Sequence, residues 1–166
     1  MGIEFITLDE IQGEPYYEGR WPYLRIAAGW AKAGVDNPTQ VFELGAHTHP
    51  VVHGCHTMDI KAQLHPTFVH DARVFPWPIA DGAYSLFIGL QVLEHLGAPD
   101  SGVQALAFLE VRRIAKSAII SVPYHWTRSK SVDHNSIGIR TVLEWSGIEP
   151  DHICTVAYRI ICQWTF

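Results

Sequence analysis

Apolar residues along this chain fall into two patterns, short unbroken runs and stretches at helical spacing, and their alternation predicts the elements. Val41, Phe42 and Leu44 form the first run, closed by Gly45. A second, weaker run ends at Asp59, and Phe68-Val69-His70 makes a short third strand just before Asp71. Tyr84–Leu90 (YSLFIGL) is the strongest run, nearly all apolar, as a strand covered on both faces must be. Ala118–Val122 is a fifth strand, and the β-rich runs Ile153–Ala157 and Arg159–Trp164 predict a closing pair. Helical spacing recurs at Tyr23–Lys32, with Leu24, Ala27, Ala28 and Ala31 on one side and Pro22 in the first turn. It recurs at Val103, Leu106, Leu109 and Ile114, behind a cap at Asp100 or Ser101, and again near Ile137–Trp145, stopping at Gly147.

Strand, crossover, strand is the order of a three-layer, doubly wound α/β domain with a largely parallel sheet. The first crossover is unusual. Asp59 follows Gly45 by only fourteen positions, and Pro50 and Gly54 disfavour regular helix between them. A parallel connection usually takes about a dozen residues or more outside its strands, so the helix here is expected to be very short or missing. Residues 72–83 are punctuated by Pro and Gly and predict a loop.

Composition narrows the function. A length of 166 residues predicts one domain, with 1–38 as an N-terminal lid and helix segment and 39–166 as the sheet core. Hydrophobic residues at 48% and charged ones at 17% predict a packed core, not a disordered chain. A net charge of −5 without a basic run argues against a nucleic-acid partner and for a small-molecule one. No apolar segment approaches the roughly 18 residues that span a bilayer. Three cysteines without paired spacing predict a reducing compartment. With no signal-peptide pattern in MGIEFITLDEIQGE, the expected location is cytoplasmic. Homo-oligomerisation is left open.

The stretch Val41–Asp59 carries the first chemistry. A glycine at the carboxyl end of a strand lets the backbone approach a ligand, and an acid at the end of the next strand can accept ribose hydroxyls. With ELG (Glu43–Gly45) followed by MDI (Met58–Ile60), HDA (His70–Ala72), Phe75–Leu96 and EVRRIAKSAIISVPY (Glu110–Tyr124), the order resembles the class I S-adenosylmethionine-dependent methyltransferases. The most specific part is Pro76–Leu96, a proline-aromatic loop, an acid-Gly turn, a buried strand and then LEHL. The resemblance covers about residues 40–125.

It implies a seven-stranded Rossmann-like sheet, mostly parallel with an antiparallel C-terminal strand, and S-adenosylmethionine as cofactor. Glu43, Gly45, Ala46 and His47 would line its methionine and ribose side. Asp59, beside Ile60, would take the ribose hydroxyls, and Asp71 and Ala72 would meet the adenine. Leu90 and Gln91 would border the sulfonium, and Tyr17, Arg20 and Trp21 would belong to a lid. His47 and His49 stand where the family's glycine-rich turn has further glycines. The implied activity is methyl transfer to a small molecule, a sugar or another hydroxyl-bearing metabolite. The alternative is a methyltransferase-like domain that binds or scaffolds without catalysis.

Methyl transfer asks for alignment, exclusion of water and, for a hydroxyl, a nearby base. His125 is the first candidate, after strand five, and His95 the second, after strand four; His134, beside Asp133, is a third. Glu94 is either catalytic or a pairing group at the start of a helix. Trp77 and Trp126 either floor a pocket or pack. Arg112-Arg113 reads as a solvated helix end suited to the negative pole of the dipole. His47, His49, His53 and His56 invite a metal, but their spacing is that of a loop without a helical His pair, so no metal site is assigned.

Overall fold

The computed structural model describes residues 2–124 and 137–166. Seven strands, β1 (Val41–Leu44), β2 (His56–Asp59), β3 (Phe68–Val69), β4 (Leu86–Leu90), β5 (Ser117–Pro123), β6 (His152–Val156) and β7 (Arg159–Thr165), form one sheet in the order β3-β2-β1-β4-β5-β7-β6. β1 to β5 are parallel, and β7 runs antiparallel between β5 and β6. The α-helices among the described residues are the single turn α1 (Pro15–Glu18), α2 (Trp21–Gly34), α3 (Val103–Ile114) and α4 (Ile139–Ser146). The parallel, doubly wound sheet read from the sequence is the sheet observed.

Alternation of side chains sorts the core into two faces. Phe42, Leu44, Met58, Phe87 and Ile120 face α3, α4 and the indole of Trp77. Val41, Leu86, Ile88, Leu90 and Ile119 face α2 and the N-terminal segment. The expected apolar side of α2 is buried at Leu24, Ala27 and Ala31, joined by Tyr23.

The first crossover holds no helix; eleven residues, Gly45–Cys55, connect β1 to β2. The N-terminal segment pairs with this loop instead. Phe5 bridges Val52, Ile6 N donates to Val51 O (3.0 Å) and His53 N donates to Glu4 O (3.0 Å). Ile6, Ile11, Val51 and Val52 are buried there, so apolar residues 35 or more positions apart in the chain replace the missing helix.

Two sequence expectations need correction. The buried side of α3 is Gln104, Ala107, Phe108, Val111 and Ile114, whereas Leu106 and Leu109 are exposed. Gln104 can be buried because its amide donates to Gly97 O (2.8 Å), which satisfies a polar group that periodicity alone assigns to solvent. Gly102, at φ +78°, takes the N-cap position of this helix, and Ser101, one position earlier, contributes its Oγ as acceptor from Val103 N (3.5 Å).

Arg113 is also no solvated end. Its guanidinium donates to Ile79 O (2.6 Å) and Trp77 O (3.2 Å) and pairs with Glu110 (2.6 Å) and Asp81 (2.7 Å). Glu110 in turn accepts from Trp77 N (2.7 Å). α3 thus anchors the proline-aromatic loop.

Candidate functional site

The carboxyl ends of β1 to β4 surround two hollows separated by Gly45, whose backbone lines both. Gly45 sits at φ +67°, a conformation that side chains resist, and a Cβ there would lie 2.9 Å from Val92 Cγ2. Its N–H donates to Met58 O (2.9 Å), fixing the turn over β2.

The larger hollow has a volume of about 260 Å³. Gly45, Asp59, Ile60, Asp71, Ala72 and His95 line it, so residues from four separate segments of the chain meet at one place. Leu44, Met58, Val92 and Leu96 give it an apolar floor, and His70 and Arg73 complete the rim. Asp59 Oδ1 accepts from Lys61 N (2.8 Å), which holds the carboxylate at the strand end. Arg73 grips Asp71 through two guanidinium nitrogens (Nε–Oδ1 2.9 Å, Nη2–Oδ2 2.6 Å), and these bonds hold its carboxyl down at about 2. Ala72 is held from behind, where the buried Trp77 indole donates to its carbonyl (3.0 Å). Trp77 therefore packs and positions the wall instead of flooring a pocket.

The second hollow is small, about 30 Å³, and is lined by Glu43, Ala46, His47 and Leu90 from the sheet side and by Tyr17 and Arg20 from the N-terminal segment. Glu43 is 3% exposed, and burial pushes its carboxyl up to about 8 even though its Oε2 accepts from Val51 N (2.7 Å). Arg20 Nη1 donates to Tyr23 Oη (2.9 Å) and the guanidinium lies 3.9 Å from the Tyr16 ring centre. Burial raises the Tyr23 phenol to about 12, so it stays protonated.

Two predicted residues stand elsewhere. Gln91, at φ +55°, is buried and turned toward β5, its N–H donating to Ser121 O (2.8 Å) and its amide to Ser121 Oγ (3.1 Å). Trp21 packs half-buried beside the α2 core and lines neither hollow. His125, His134 and Trp126 lie outside the described residues.

His95 is well exposed (61%) on the larger hollow, with Nε2 3.9 Å from Glu94 Oε1. Glu94 pairs with that neighbour from a buried position. Its side chain is 2% exposed, Oε2 has no hydrogen-bond partner among the described residues, and burial pushes it up to about 8 against the opposing charges of Arg159 and Arg20.

Val92, Arg73, Tyr16 and Tyr23 were missed by motif reasoning. Only Arg73 had a local signal, an arginine two positions after the acid it grips. The histidines disperse to separate partners: His47 to Tyr17, His49 to Glu14, His53 to Glu10 and His56 to Tyr84. Among the described residues no three His, Cys, Asp or Glu side chains gather as metal ligands.

No protein-family model and no curated protein matches the sequence. Solved structures do match. A SAM-dependent methyltransferase from Aquifex aeolicus is similar with a TM-score of 0.64 and 12% identity, over 95% of this chain and 97% of that one. The N-methyltransferase NodS from Bradyrhizobium japonicum WM9 gives 0.62 and 11%, over 92% and 97%. The 16S rRNA methylase RmtB gives 0.60 and 12%, over 96% and 75%. With β7 antiparallel between β5 and β6 and the paired hollows at the carboxyl ends of β1 to β4, this chain has the fold of the class I S-adenosylmethionine-dependent methyltransferases.

Proposed function

We propose that this protein is an S-adenosylmethionine-dependent methyltransferase acting on a small molecule that carries a hydroxyl, such as a sugar. The observation that carries the proposal is the larger hollow, where Gly45, Asp59, Asp71 and Ala72 converge from three strand ends. The residues present suit an adenosyl group. Asp59 offers a carboxylate to two vicinal hydroxyls, the apolar floor of Leu44, Met58 and Leu96 suits a planar base, and Asp71 and the backbone at Ala72 border its edge. On the other side of Gly45, Arg20 would offer a cation to the carboxylate of the methionine end, and Glu43 and Leu90 would flank its ammonium and sulfonium. The cofactor supplies the electrophilic methyl group; the protein aligns the acceptor and keeps out water. His95, on the rim of the larger hollow, and His125, which follows β5 in sequence, are the candidate bases for a hydroxyl proton.

The acidic balance of the chain supports a small acceptor over nucleic acid, although one structural neighbour acts on 16S rRNA. Calorimetric titration with S-adenosylhomocysteine is expected to show one site of micromolar affinity; no heat at millimolar ligand removes the proposal.

A second reading is favoured by one observation. His47 and His49, with the Tyr17 contact they make, leave the second hollow only about 30 Å³, and a binding or scaffold domain that has lost catalysis needs no more. A protein that is folded by its thermal melt yet binds no S-adenosylhomocysteine at millimolar ligand would favour it.

A further inference from the structure

Val92 opens the single turn Leu93–His95 after β4 and packs on Gly45 where the two hollows meet; a Cβ on Gly45 would lie 2.9 Å from its Cγ2. On one side of Val92, Leu90 lines the smaller hollow, and on the other His95 and Leu96 line the larger one. Glu94 stands within this turn and lines neither. Its side chain is 2% exposed, Oε1 lies 3.9 Å from His95 Nε2, and Oε2 meets no hydrogen-bond donor among the described residues. Leaving a buried carboxyl oxygen unbonded costs free energy, and such groups in folded proteins rarely go unanswered.

Charge reaches Glu94 from separate elements. Arg20 stands ahead of α2, where its Nη1 donates to Tyr23 Oη (2.9 Å), and Arg159 stands at the start of β7, its guanidinium 5.9 Å from the Tyr23 ring centre. His95 is the titratable neighbour on the same turn. Both arginines favour the ionised carboxyl, but burial outweighs them, and Glu94 keeps its proton at neutral pH. One further cation at the junction of the hollows tips that balance toward the carboxylate.

The bound cofactor brings such a charge to that place. The sulfur of S-adenosylmethionine is bonded both to the adenosyl group and to the aminobutyrate arm. With the first in the larger hollow and the second in the smaller, the sulfonium lies over Gly45 and Val92, beside the turn that holds Glu94. S-adenosylhomocysteine, the product of transfer, is the same molecule with a neutral sulfur.

We propose that Glu94 is a specificity-determining residue that reads the charge on the cofactor's sulfur: it gives up its proton when the sulfonium sits over Gly45 and keeps it beside the neutral sulfur of the product, so that the methylated cofactor is held more tightly than what remains after transfer. This rests on the cofactor assignment above. Glu94 acts through its field across the wall of the hollows and so can stay behind that wall. Because a neighbouring cation favours the carboxylate, the preference for the sulfonium ligand grows as pH rises toward about 8, where Glu94 ionises unaided.

The test is calorimetric titration of the full chain with S-adenosylmethionine and with S-adenosylhomocysteine, in buffers of different ionisation enthalpy, which counts the protons each ligand releases. Protons exchanged by the amino-acid arm common to both ligands cancel in the difference. At about pH 7, wild type is expected to release about half a proton or more with S-adenosylmethionine beyond that released with the product. The ratio of the two affinities is expected to rise about fivefold or more between about pH 6 and about pH 8. Glu94→Gln, isosteric with the protonated acid, is expected to remove both effects, and a thermal melt within a few degrees of wild type establishes that it is folded. Wild type alone decides the first point: equal proton release by the two ligands, with a ratio flat in pH, overturns the proposal and leaves the cofactor assignment standing. Effects that persist in Glu94→Gln assign the proton to another group and overturn it too. Binding of neither ligand overturns both.

Discussion

At the scale of single residues, Gly45 bears most of the site. It needs a left-handed backbone, and a methyl group in its place would strike Val92. Gly45→Ala is expected to cost about 1–2 kcal/mol from the backbone alone, seen as a melting point lower by roughly 2–8 °C, together with loss of homocysteine-ligand affinity. An unchanged melting point would mean that the turn is not built as described. Glu94 gives a prediction in pH. Its carboxyl is raised to about 8 in the fold, so its favourable contribution is complete below the ordinary carboxyl range and is lost as pH rises from about 4.5 through about 8. Glu94→Gln mimics the protonated acid and removes that dependence. Its melting-point advantage over wild type is expected to widen from roughly pH 5 to pH 8; a constant difference contradicts the burial. Gly45, Asp59 and Asp71 were legible in the sequence because each closes a strand in a local motif. Gln91 was not, since what turns it inward is Ser121 on the neighbouring strand, thirty positions away.

At the scale of elements, strand runs were legible because a parallel sheet buried on both faces writes itself as unbroken apolar residues. The absence of the first crossover helix was legible too, from Pro50, Gly54 and the short spacing. Its replacement by residues 4–11 was not, because that pairing is long-range and leaves only scattered apolar residues in the sequence. The face of α3 was misassigned for a related reason: leucines mark a buried side only when no satisfied polar group competes, and Gln104 competes by bonding to Gly97. Arg113 supports the loop that carries Trp77 and, through it, Ala72. Arg113→Met removes charged hydrogen bonds to two carbonyls and two carboxylates and is expected to lower stability by about 2–3 kcal/mol in urea denaturation. A loss under about half a kilocalorie would show the network to be a surface ornament.

At the scale of the whole molecule, the sheet order β3-β2-β1-β4-β5-β7-β6 reverses direction between β1 and β4, and the hollows lie at the carboxyl ends of the strands on that switch point. A doubly wound sheet offers its ligand crevice there because the connections leave β1 and β4 in opposite directions. The central claim is that an adenosyl group occupies the larger of those hollows. Amide chemical shifts of ¹⁵N-labelled protein, followed through a titration with S-adenosylhomocysteine, test it most directly. Shifts are expected to concentrate at Gly45, Asp59, Ile60, Ala72 and Val92. A titration that leaves these amides unmoved up to millimolar ligand, or that moves instead those around Trp30 and His152 on the far edge of the sheet, would contradict it.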